Sequence, residues 1–135
     1  MISLQAKKKI EEYIDDLVDR AQDIINSTEI YKKPAKGKDM EESQLRNLLN
    51  ITTASESVKV INLFIQYQMG RDRDRWTRGG FGDRIIEEIE NLENMAEQVS
   101  KETGQNKKEV WIELIRLFIG YLNRYFIYRK KRGEG

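Results

Sequence analysis

The chain has 135 residues, of which 39% are apolar and 35% charged, with a formal net charge of +1 and a mean hydropathy of -0.72. That length fits one domain with a modest core and no second folded unit, and so balanced a charge excludes bulk attraction for polyanions. Cysteine and histidine are both absent, which excludes disulfides, thiolate nucleophiles, imidazole bases and the usual zinc and haem ligands.

The opening MISLQAKKKI carries no apolar run of signal-peptide type. From Gln5 to about Asn26, the residues Ile10, Tyr13, Ile14, Leu17, Ala21, Ile24 and Ile25 recur at three and four, which predicts one amphipathic helix. Residues 31–38 (YKKPAKGK) follow as a lysine-rich loop, broken by Pro34 and Gly37. Three helix starts are then expected where a capping residue precedes Glu by three: Asp39 with Glu42, Thr53 with Glu56, and Asn106 with Glu109. They predict helices over 40–50, 54–70 and 107–131. A further helix spans Asp83 to Thr103, with Gly104 placed for a left-handed cap.

The last helix differs from the others. Val110, Trp111, Ile112, Leu114, Ile115, Leu117, Phe118, Ile119, Tyr121, Leu122, Tyr125, Phe126 and Tyr128 leave almost no polar face over its middle, so it must be surrounded. Its aromatic stripe is read as core. The expected fold is all-α: a compact bundle of about five helices in a single domain over 1–135, with this long apolar C-terminal helix at the centre. Arg116 and Arg124 interrupt its apolar run, so it is not a membrane span, and a cytoplasmic protein without membrane partners is expected.

Two basic segments stand out. Residues 71–82, RDRDRWTRGGFG, form an Arg/Gly-rich hinge in which Arg71, Arg73, Arg75 and Arg78 alternate with aspartates around Trp76 and Phe81. Arginine forks onto phosphate and aromatic rings stack on unpaired bases, a mixture that suits single-stranded RNA. The same residues also read as a self-paired linker whose glycines permit a turn. The hinge would also allow two chains to exchange their C-terminal halves. Arg124, Arg129, Lys130, Lys131 and Arg132 close the last helix, either as a second phosphate patch or as compensation of the helix dipole.

Catalytic chemistry is poorly served. Asp72 and Asp74 are weak magnesium ligands among arginines, and GGFG lacks the Gly-Lys-Ser/Thr of a phosphate-binding loop. No enzymatic activity, metal or cofactor is expected.

Ser43-Gln44-Leu45-Arg46, followed by an apolar pair, resembles the short S-Q-(L/I)-R helix of the small-subunit family of type III-A CRISPR (Csm) interference complexes. The early helix KKIEEYIDDLVDRAQDII, and the ending Phe118-Ile119-Gly120-Tyr121 then Phe126-Ile127-Tyr128-Arg129-Lys130, are similar to that family's first and last helices. Departures occur at Met40 to Glu42, where threonines are common, and around Asn123 and Arg124, where the family often has an acid. The resemblance implies a five-helix, non-catalytic subunit in antiviral defence, repeated along the complex and lining the channel for guide and target RNA. Its partners would be guide RNA, target single-stranded RNA, other effector subunits and further copies of itself, and Arg46 would be its family-important residue, either as an RNA contact or as a salt bridge tying the short second helix to the acidic first or fourth one. Arg71, Arg73, Arg75, Arg78 and Lys130 join Arg46 as candidate RNA-binding residues on composition. The competing expectation is a helical protein-interaction scaffold without RNA binding.

Overall fold

A computed structural model describes residues 1–134, and in it the first apolar stripe folds as two helices rather than one. These are α1 (Leu4–Glu11) and α2 (Ile14–Thr28). Ser3 caps α1, its hydroxyl accepting from the Ala6 N–H at 3.1 Å. The chain bends at Glu12 and Tyr13, whose amides reach back only three residues, to Lys9 and Ile10. No glycine or proline forces the bend. Its cause lies in packing: α1 rests on the helix over 81–103, while α2 turns its buried Leu17, Ala21, Ile24 and Ile25 mainly toward the last helix. Weak helix formers at the joint, Tyr13 and Ile14, make the bend cheap.

α2 ends at Glu29, which adopts a left-handed backbone with φ 55°, and the loop over 31–38 follows as expected. Next come α3 (Glu42–Ala54), α4 (Val58–Arg71) and a four-residue α5 (Arg73–Trp76). A 3-10 turn (Arg78–Gly80) leads into α6 (Phe81–Thr103), and α7 (Lys107–Glu134) ends the chain. The fold is all-helical. Among the described residues there are seven α-helices and no strand, so the expected count of about five is corrected by the bend at Glu12–Tyr13 and by α5.

Only one of the three expected capping pairs forms. Asn106 Oδ1 accepts from the Glu109 N–H at 3.1 Å. Thr53 instead lies inside α3, its hydroxyl donating back to the Asn50 carbonyl, and Ser57 caps α4 by accepting from the Val60 N–H. Asp39 is held by Lys130, and α3 starts at Glu42 after Glu41.

The apolar α7 is packed by α2, α3 and α6. Val110, Leu114, Ile115, Phe118, Leu122 and Phe126 are all fully buried. Its few polar side chains serve its neighbours. Arg116 donates to the Thr52 and Ser55 carbonyls at 2.7 and 3.2 Å, capping the C-terminus of α3 where its carbonyls lack partners. Trp111 donates to the Ile89 carbonyl of α6 at 2.8 Å. Among the described residues no helix is long and apolar enough to cross a membrane.

The segment 71–82, expected as a hinge, is tightly packed. Trp76 and Phe81 are fully buried, with ring centroids 5.8 Å apart, and Phe64 meets Trp76 edge-on. Gly79 has φ 62°, and a Cβ there would lie 2.6 Å from the Thr28 carbonyl oxygen of α2. Gly104 is also left-handed, at φ 78°, but a Cβ there would meet nothing within 4 Å. Gly104→Ala should therefore cost about 1–2 kcal/mol from backbone strain alone. Gly79→Ala should cost clearly more. Urea unfolding followed by circular dichroism checks the order, and equal costs would show that the turn does not press on α2.

Candidate nucleic-acid interface

Three cation-bearing segments meet at one end of the bundle: the chain over 29–42, whose four lysines are matched by four acids, the Arg-rich α5 region over 71–80 and the basic end of α7. Side chains tie them to one another. Arg75 Nε donates to the Asp39 carbonyl at 2.8 Å, while its Nη1 pairs with Asp72 at 2.9 Å. Lys130 Nζ reaches Asp39 Oδ2 at 2.8 Å and the Met40 carbonyl at 2.6 Å. Arg78 Nη2 donates to the Glu29 carbonyl at 3.0 Å, and the Lys38 N–H to Asp74 Oδ2 at 3.3 Å. Arg129 donates to Asn26 Oδ1 at 2.8 Å and to the Tyr31 hydroxyl, and its guanidinium lies 4.2 Å from the Tyr31 ring centroid.

The result is a polar distribution of charge. Residues 29–42, 71–80 and 120–133 together hold thirteen Lys and Arg against six Asp and Glu, in a chain whose net charge is only +1. The rest of the molecule must therefore carry an excess of acid. A basic end of this kind attracts a polyanion that the molecule as a whole would not.

The six residues proposed from the sequence divide into two sets. Arg75, Arg78 and Lys130 are half-buried and donate to backbone carbonyls and to Asp39 and Asp72, while Arg78 Nη1 is buried without a partner. They hold the end together. Arg46, Arg71 and Arg73 are exposed. Arg46 borders a groove with Lys130 and Lys131 that also holds Asp39, Glu41 and Glu42; Asp39 and Glu42 pair with the two lysines, and Glu41 lies 3.9 Å from Arg75. Arg71 lies 5.7 Å from the centroid of the exposed Tyr67 ring. The aromatics of the 71–82 segment cannot stack on bases, because Trp76 and Phe81 are sealed in the core.

Sequence reasoning missed the rings that are available. Along α7 the phenylalanines Phe118 and Phe126 are buried, whereas Tyr121 and Tyr125 are half-buried and Tyr128 is exposed. The signal was the choice of tyrosine at 121, 125 and 128, spaced by four and three, since a hydroxyl suits a ring with one wet edge. The Tyr125 hydroxyl sits between Arg129 and Asn26, and the guanidinium beside it holds the phenol below its ordinary range. In the loop, Lys32 likewise holds the Glu29 carboxyl below the usual carboxylate range.

Arg75→Ala should destabilise the fold by about 1.5–3 kcal/mol, since it removes charged hydrogen bonds and strands the nearly buried Asp72. Arg73→Ala should stay within about 0.5 kcal/mol of the parent. Chemical unfolding of the two variants separates a fold-holding arginine from one that faces solvent.

No protein-family model matches the chain, nor does any curated protein or solved structure, and the chemistry of this surface carries the functional argument.

Proposed function

We propose that the chain is a non-catalytic small subunit of a type III-A CRISPR RNA-guided effector complex, binding RNA phosphates with the basic end of its bundle. In that role it lines the channel that holds guide and target RNA and supports assembly of the complex in antiviral defence. Cleavage belongs to other subunits. The observation that carries the reading is the convergence of the Arg-rich 71–80 segment, the basic end of α7 and the lysine-rich loop over 31–38 on one end of an otherwise balanced chain.

Further support comes from the Ser43-Gln44-Leu45-Arg46 run, which opens α3 and leaves Arg46 exposed beside Lys130 and Lys131. Arginine and lysine that meet phosphate without reading bases suit a subunit that must accept any guide sequence.

A second reading rests on α4. Val60, Leu63 and Tyr67, spaced by three and four, are 47%, 63% and 58% exposed, an apolar ridge of the kind that docks a protein. On that reading the chain is an interaction scaffold and its arginines only solubilise it.

The tagged protein, recovered from its native cell extract with its partners and any RNA identified, separates the two. CRISPR backbone subunits with short guide RNAs support the first reading; an RNA-free set of unrelated proteins overturns it. In solution, affinity for single-stranded RNA should fall with salt at a slope of about -0.7 per phosphate contacted. The variant Arg46→Ala/Arg71→Ala/Arg73→Ala should flatten that slope by up to about 2 while unfolding like the parent. Salt-independent binding would count against phosphate recognition.

A further inference from the structure

Building on the RNA reading, we propose that the tyrosine face on the C-terminal half of α7 is a stacking platform for unpaired bases of single-stranded RNA. Tyr128 is its centre. Its ring is 54% exposed and lies nearly parallel to that of Tyr125, with centroids 6.0 Å apart and planes inclined by 30°. These two rings form the common wall of two shallow grooves. One groove continues to Tyr121 and Arg124 and to Val18 and Gln22 of α2; the other runs to Tyr31, Arg129 and Arg132.

Each outer ring carries its own cation. Arg124 lies 5.7 Å from the Tyr121 centroid, and Arg132 lies 6.0 Å from that of Tyr128. Both arginines are exposed, so they can swing to phosphate while a base takes the ring face. Arg129 plays another part: bound to Asn26, Tyr31 and Tyr125, it positions the rings.

Charge selects the occupant. Residues 114–133 contain no Asp or Glu, so the α7 side of this surface offers no carboxylate to the basic groups of a protein and several cations to a phosphate chain. On α2, Asp15 and Asp19 flank Val18 in sequence and are exposed, which favours phosphates at the Arg132 end. A duplex keeps its base faces covered, whereas unpaired bases can leave the stack and settle on aromatic rings. Tyr121 and Tyr128 are separated by about 10 Å along the helix, room for a small number of bases.

The test compares two probes on the full chain by fluorescence anisotropy: a labelled short oligouridylate and its abasic counterpart, which keeps the ribose-phosphate chain without bases. The parent should bind oligouridylate about tenfold or more tightly than the abasic chain. Tyr128→Ala should remove most of that preference and leave the salt slope unchanged. Tyr128→Phe, which keeps the ring, should retain it. Equal affinity for both probes, or unchanged binding by Tyr128→Ala, overturns the stacking platform and leaves phosphate binding standing. Binding of neither probe at low salt overturns both. If Tyr128→Ala instead dissolves a dimer seen by sedimentation, without touching RNA affinity, the face belongs to a second copy and the proposal fails.

Discussion

A helix with apolar side chains almost all round cannot lie at a surface, and the need to cover α7 organises most of the molecule. α2, α3 and α6 pack on it, burying Phe118 and Phe126 completely. Covering a helix on so many sides leaves its neighbours' polar ends near it, and α7 supplies the missing partners from within its apolar run and from its C-terminal end. Arg116 satisfies the last carbonyls of α3, and Lys130 fastens the chain before α3 through Asp39 and Met40.

The same arrangement explains how so many cations share one end. Thirteen Lys and Arg gathered there would repel one another. Beside the carboxylate pairs Arg75–Asp72 and Lys130–Asp39, several are held by groups that carry no full charge of their own: the carbonyls of Glu29, Asp39 and Met40, and the Tyr31 ring. Carbonyl oxygens accept from guanidinium and ammonium groups without cancelling their formal charge, so the positive field of this end survives its own assembly. Pairing every cation with a carboxylate would have held the segments equally well and erased that field.

Much of the fold was legible in the sequence, and the misreadings have identifiable causes. The Asp83–Thr103 helix and its Gly104 cap were visible because α6 buries a single stripe and stops at a residue free to take positive φ. The first helix was read as unbroken because periodicity records which residues are apolar but not which partner each half faces. The capping rule misled at Thr53, where a hydroxyl inside a helix bonds back to its own turn, and at Asp39, where a distant lysine claims the carboxylate. Both errors are tertiary. Local pattern shows what a side chain could do, and the competing partner arrives only on folding.

The candidate site was less legible for the same reason. Alternating Arg and Asp over 71–75 looked like one uniform patch, yet folding turns Arg75 inward onto Asp39 and Asp72 and leaves Arg71 and Arg73 outside. A residue that faces both the fold and a ligand gives ambiguous results when it is removed. Arg46, Arg71 and Arg73 would report on binding alone, because none of their side chains, among the described residues, makes a hydrogen bond of the fold. Tyrosines in a stripe otherwise made of Phe, Leu and Ile draw the same distinction within α7. Where the chain needed only burial it used hydrocarbon, and where it used a ring with a hydroxyl the ring stands at the boundary with water, at the end of the molecule where phosphate would be drawn.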